Sequence, residues 1–210
     1  MPETYQRQTA LSHLHLGARA VADAGLTDAG VQLAELPGRA LINLRGDIAD
    51  AAFAAAVKKA VGVEPPAKAG AVNSRSAGPD ILWLGPNEWL VSGEAGTEQA
   101  MAEKLRKALA GQFAAVTDVS EGRAVIRLGG ARARDVLAKG CPLDLHPKVF
   151  VPGSCAQTIL GRSDMLLHGF TAGRGKAEAF HVYVGRSFAE YAWIWLEDAG
   201  REYGVQVIGA

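Results

Sequence analysis

Gly38-Arg39-Ala40-Leu41-Ile42-Asn43-Leu44-Arg45-Gly46 returns later in the chain as Gly122-Arg123-Ala124-Val125-Ile126-Arg127-Leu128-Gly129-Gly130. The offset is 122 − 38 = 84 residues, and Gly, Arg, Ala, Ile, Leu and Gly recur in register. The same gap-free offset lays Asp80-Ile81-Leu82-Trp83-Leu84-Gly85 on Asp164-Met165-Leu166-Leu167-His168-Gly169 (164 − 80 = 84), where Asp, Leu and Gly repeat. Two echoes at one offset indicate a duplicated structural unit. Such a unit narrows the possible folds, and differences between its copies mark where function was kept or lost.

The residues around each echo predict the same series of elements. Val31 to Leu36 and Arg39 to Leu44 are alternating apolar runs split by Pro37-Gly38, a hairpin signal. Asp47 caps a helix with Ile48, Phe53, Val57 and Val61 near helical spacing. Residues 62–79, rich in Pro, Gly, Ala and Ser, read as a long loop. Ile81 to Leu84 and Trp89 to Ser92 flank a second hairpin turn, and Thr97 opens a helix through Met101, Leu105 and Leu109.

The second copy repeats the series. Val116 to Ser120 and Arg123 to Leu128 read as a hairpin, followed by a short helix that ends at Lys139-Gly140. A Pro-rich loop (140–153) precedes strands at Cys155 to Leu160, Met165 to Leu167 and Phe180 to Val184. Ser187 caps the last helix, and Val205 to Ile208 is a closing strand. Each copy reads strand-strand-helix-strand-strand-helix, which favours antiparallel sheets with helices on one face, an α+β class. The expected organisation is an N-terminal extension (1–30), a first lobe (31–112) and a second lobe (113–210) in one compact unit.

The last helix is apolar nearly all round. Phe188, Tyr191, Ala192, Trp195, Leu196 and Ala199 form one stripe, while Trp193 and Ile194 lie roughly 100° or more to its flanks. A helix of this kind is expected to be buried on two sides, against its own sheet and against either the other copy or a partner chain. Trp193, Ile194 and the Trp83/Trp89 hairpin are therefore interface candidates.

Composition limits the function. The 210 residues carry 22 basic and 22 acidic side chains, a balance that argues against a dedicated nucleic-acid binder. No apolar run approaches the roughly 20 residues needed to cross a bilayer, and Met1 to Leu16 lacks a signal-peptide core. Two cysteines do not make a secreted disulfide framework, so the expected setting is the cytoplasm.

Few residues point to chemistry. Gly169 to Lys176 resembles a phosphate-binding loop but has five residues between Gly169 and Gly175 where four are required, and Ala177 follows the lysine. Cys141, His146 and Cys155 lack paired metal-ligand spacing, so no metal site is expected. His13 and His15 read as surface residues, and Asp144-Leu145-His146 reads as a turn rather than an acid–base pair. Asp164 starts a strand, as Asp80 does in the other copy. That is an ordinary turn position, although a carboxylate at a strand end also suits a nitrogen-bearing ligand.

Asp118-Val119-Ser120, Arg123 to Gly130 and Val151-Pro152-Gly153-Ser154-Cys155-Ala156-Gln157-Thr158 resemble the glycine-cleavage T-protein (aminomethyltransferase) family. More specifically, Leu137-Ala138-Lys139-Gly140-Cys141-Pro142-Leu143-Asp144-Leu145-His146-Pro147, Leu82 to Leu90 and Arg186 to Tyr191 with Trp193, Trp195 and Leu196 look like the gamma subunits of heterotetrameric sarcosine oxidases. The resemblance implies a T-protein-like fold of two ferredoxin-like lobes. It also implies a non-catalytic subunit working with alpha, beta and delta chains that oxidise sarcosine to glycine. In that family FAD, FMN, NAD, folate and zinc are carried by the other chains, so none is expected here. The T-protein pattern has a paired acidic motif where this chain has Arg162-Ser163-Asp164-Met165, and an Asn-Ala element where it has Gly185-Arg186-Ser187-Phe188. Asp164 is thus a candidate remnant of a folate site, and a stand-alone folate-binding one-carbon protein is the alternative reading.

Overall fold

The computed structural model describes residues 7–76, 78–172 and 177–209; the tip of the near-miss phosphate loop, 173–176, lies outside them. The elements in chain order are α1 (Leu16–Ala22), β1 (Val31–Glu35), β2 (Ala40–Arg45), α2 (Ala51–Val61), β3 (Val72–Asn73), β4 (Asp80–Gly85), β5 (Glu88–Gly93) and α3 (Glu98–Ala108). They continue with β6 (Ala115–Asp118), β7 (Arg123–Gly129), α4 (Ala133–Ala138), β8 (Ser154–Leu160), β9 (Ser163–Ala172), β10 (Ala177–Gly185), α5 (Ala189–Gly200) and β11 (Val205–Val207).

The strands form two sheets, β3-β4-β5-β2-β6 and β11-β1-β7-β10-β9-β8. All pairings are antiparallel except β1 with β11. Position by position, β3, β4, β5, β2 and β6 correspond to β8, β9, β10, β7 and β1, so the duplication read from the echoes is a duplication of sheets. The α+β class holds.

Both hairpins expected at the echoes are absent. β1 pairs with β7 and β11, not with β2, and β6 pairs with β2, not with β7. The turn at Pro37-Gly38 forms, with Gly38 at φ +64°, but it carries the chain from one sheet into the other. Each lobe therefore lends its leading strand to its neighbour. This exchange crosses the expected boundary at 112/113 and ties the lobes through backbone hydrogen bonds, which a linear division of the chain cannot represent.

Alternation along the strands produces three cores. One face of the five-stranded sheet packs Ile42, Leu44, Ile81, Trp89 and Val91 under Phe53 and Val57 of α2 and Met101 and Leu105 of α3. One face of the six-stranded sheet packs Ile126, Leu128, Val182 and Val184 under Val136 and Leu137 of α4 and Trp193 and Leu196 of α5. The remaining faces meet each other through Leu41, Leu82, Leu90, Val125, Leu166 and Tyr183. The layers run helix, sheet, sheet, helix. At one edge the sheets also join by backbone, with Cys155 N–H donating to Gly70 O (2.8 Å) and Val72 N–H to Gly153 O (2.9 Å).

Local chemistry sets the details. The cap of α2 is Asp50, which accepts from Ala52 N–H at 2.8 Å; Asp47, the expected cap, closes the preceding turn on Ala49 N–H. The N-terminal extension contains α1 and buries Leu11 in the second lobe's core. The repeated glycine at the end of each echo has a packing reason. A Cβ on Gly46 would sit 2.1 Å from the Phe53 ring, and Gly130 (φ +99°) lies against the Gly30 carbonyl, 2.4 Å from where its Cβ would be.

Helix α5 is set one residue away from the expected stripe. Its buried residues are Ala189, Ala192, Trp193, Leu196 and Gly200, again at i, i+3, i+4, i+7 and i+11. Both registers are apolar, and the small residues decide between them. Gly200 lets the helix approach Val31 and Val205 so closely that a Cβ there would be 2.9 Å from Val205. Trp195 and Tyr191 then lie over Gly140 and Gly161, with the Tyr191 hydroxyl accepting from Arg162 N–H at 3.0 Å. The second buried side of this helix is thus partly supplied by its own lobe.

Candidate functional site

Asp164 is exposed and lies in β9 opposite Ile159 of β8. By strand alternation it shares a face with Leu166 and His168, the face that meets the other sheet. Its end of that face opens into a cleft of about 690 Å³ with Gln157, Thr158, Ser187 and Phe188 in the wall. The Gln157 amide donates across the seam to Leu84 O at 2.6 Å. The cleft offers one carboxylate, the Arg123 guanidinium, an amide and hydroxyls beside apolar walls.

The interface candidates divide. Trp193 is fully buried in the second lobe, and its Nε1–H donates to Glu197 at 3.2 Å. Trp89 is 1% exposed, donates Nε1–H to Pro66 O at 2.9 Å and lies 5.5 Å from the Phe53 ring. Both are core residues: apolar bulk on the inward face of an element is the first thing its own lobe buries. Trp83 is half-buried. Ile194 is 52% exposed, and with Phe188 and Tyr191 at intervals of three it gives the outer side of α5 an apolar edge. A second exposed aromatic, Phe113, stands beside a cleft of about 660 Å³ with Asp47 and Pro86 in its wall. The sequence around it carries no periodic signal that would have singled it out.

The other sequence candidates stay apart. Cys141 and Cys155 are free and buried in different cores. Burial pushes the Cys155 thiol up to about 11, and its hydrogen faces the carbonyls of Ala71 and Trp83. Asp144 accepts from His146 N–H at 2.9 Å and His146 Nδ1 from Lys148 N–H at 3.2 Å, which makes this segment a turn. The Pro-rich loop around it is pinned by Arg134, which bonds Glu178 and the carbonyls of Leu145 and Phe150.

Sequence spacing missed one cluster. Asp80 at the start of β4 faces His168 of β9 and His181 of β10, with ligand atoms all within 4.8 Å of one another. The two histidines are direct cross-strand partners, and the Phe170 ring lies 4.2 Å from His181. Burial, with Arg39 nearby, holds both imidazoles below the usual histidine range, His181 at about 2. These residues come from three strands in two lobes. The echo itself holds the only hint, since His168 stands where the first copy has Leu84 (84 + 84 = 168).

Known proteins match this architecture. Residues 45–202 fit the family model "Sarcosine oxidase, gamma subunit family". The chain is 33% identical over 205 residues to sarcosine oxidase subunit gamma of Corynebacterium sp. (strain P-1), covering 98% of this chain and 95% of that one. A chain of the heterotetrameric sarcosine oxidase from Corynebacterium sp. U-96, solved with pyrrole 2-carboxylate, superposes with a TM-score of 0.81 at 32% identity. That match covers 94% of this chain and 96% of the other. The aminomethyltransferase T of the Bartonella henselae glycine cleavage system superposes at 0.72 with 17% identity, over 97% of this chain and 60% of that one, a likeness of fold. The exchanged strands, the two lobes and the extent of these matches lead to one conclusion: the chain belongs to the sarcosine oxidase gamma subunit family.

Proposed function

We propose that this chain is a non-catalytic subunit of a sarcosine oxidase heterotetramer, holding the flavin-bearing chains in place. One observation carries this reading: superposition on the Corynebacterium chain uses nearly the whole of both matched chains. The partners are alpha, beta and delta chains, which carry FAD, FMN, NAD, folate and a zinc ion, and the complex converts sarcosine to glycine in the cytoplasm. The outer edge of α5 supports this assignment. Phe188, Tyr191 and Ile194 are exposed at intervals of three along the helix, and Phe188 lines the Asp164 cleft together with Ile159, which is 42% exposed. Clustered exposed apolar side chains of this kind mark contact surfaces.

Co-expression with the partner chains tests the proposal. Ile194→Lys should leave the free chain within about 0.5 kcal/mol of its normal stability. It should weaken assembly by a contact-centre cost of about 2 kcal/mol or more. An undiminished complex would remove this edge from the interface. The second reading, a folate-binding protein, rests on the cleft at Asp164. Saturable binding of tetrahydrofolate by the chain alone, lost in Asp164→Ala, would favour it.

A further inference from the structure

The seam between the two sheets is mostly apolar, with the Tyr183 hydroxyl bonded to Ser92 at 3.2 Å and Gln157 bonded to Leu84 O among its polar contacts. Leu41, Leu82, Leu90, Val125 and Leu166 meet there, but beside them His168 and His181 face Asp80 across the seam. We propose that Asp80, His168 and His181 form a binding site for one divalent transition-metal ion of the zinc class.

The geometry is that of an ion-sized gap. Ligand atoms about 2.0–2.1 Å from a tetrahedral zinc lie roughly 3.4 Å apart, a separation that small side-chain rotations reach from 4.8 Å. Two imidazoles and one carboxylate suit zinc, cobalt, nickel or ferrous iron, and leave a position for water. Calcium and magnesium prefer all-oxygen sets. The histidines are 2% and 8% exposed, and each buries its Nδ1 with no hydrogen-bond partner among the described residues. Protein hydrogen bonding therefore does not account for these rings, and unpaired buried nitrogens are costly. Neutral imidazole is the form that binds metal. Asp80, only partly buried, supplies the negative charge and a route from solvent.

Two groups oppose a dication. Arg39 donates to Ser92 Oγ at 3.0 Å, and Arg127 is the cross-strand neighbour of His181. Both residues are half-buried and each buries its Nε, so their charge opposes the ion and the affinity falls below that of a closed four-ligand site. Duplication alone does not explain the cluster. In the first copy the sequence equivalent of His168 is Leu84, which offers no imidazole.

The test is titration of the metal-free, full-length chain with cobalt(II), followed by displacement with zinc. All three cores are closed by its own residues, so the chain is tested without the zinc-bearing partner. One saturable equivalent is expected, with the visible absorption of nitrogen- and oxygen-ligated cobalt. Asp80→Asn and His181→Gln should each weaken it by at least the roughly tenfold that loss of even an outer partner costs. No saturable equivalent in the wild-type chain overturns the proposal, as does undiminished, wild-type affinity in both variants. If either variant fails to fold, the exposed His146→Gln decides: cobalt lost there belongs to the surface, and cobalt retained with two imidazoles by X-ray absorption supports the seam.

Discussion

Truncating Trp193 separates a core role from an interface role. The side chain is fully buried under α5 with Val136, Leu196 and Val182 in the same core. Trp→Ala at such a site costs about 3–5 kcal/mol, from lost transfer energy and the cavity left behind. The bond to Glu197 adds little, because that carboxylate is one-third exposed and rehydrates. For a chain of this size each kcal/mol lowers Tm by about 2–4 °C, so Trp193→Ala should melt roughly 6–20 °C lower. Urea unfolding of the isolated chain followed by far-ultraviolet circular dichroism measures this without relying on the lost fluorophore. The midpoint should fall while the slope stays constant. A loss under about 1 kcal/mol, with assembly abolished, would refute the core placement and return Trp193 to the interface.

Other expectations follow from the same packing. Gly130→Ala places a side chain at φ +99° against the Gly30 carbonyl and should cost about 2 kcal/mol, read by thermal melting. Arg134→Ala releases the 140–153 loop from Glu178 and two carbonyls; a loss of about 2 kcal/mol and faster limited proteolysis within that loop are expected. Cys155, raised from 9.0 to about 11, should alkylate at pH 8 far more slowly in the folded chain than in urea. The folded state keeps that proton while the unfolded state releases it above about pH 9, so stability should fall as pH rises from 9 to 11. Cys155→Ala should flatten the fall, and an unchanged curve would show that this thiol does not contribute.

The sheets were legible because duplication leaves its mark in order and spacing: Ile126 repeats Ile42, and Gly130 repeats Gly46. The exchange of β1 and β6 was not legible. An alternating run beside Pro37-Gly38 looks the same whether it folds back on its neighbour or crosses to another sheet, since the pairing energy comes from residues about 90 positions away. The setting of α5 escaped for a similar reason, because the small residues Ala189 and Gly200 fix it and they weigh little in an apolar stripe. Asp164 was placed correctly at a strand end and does line a cleft. The Asp80–His168–His181 cluster was invisible to motif spacing, because it exists only when three strands of two lobes come together.

A subunit of a larger oxidase should leave the cell together with that oxidase. Capturing the tagged chain from its native cells and measuring sarcosine-dependent peroxide formation in the eluate tests it most directly. The expected eluate is a yellow, flavin-bearing complex that oxidises sarcosine and contains three further chains. A colourless eluate holding this chain alone, while the sarcosine-oxidising activity remains in the unbound fraction, would contradict it.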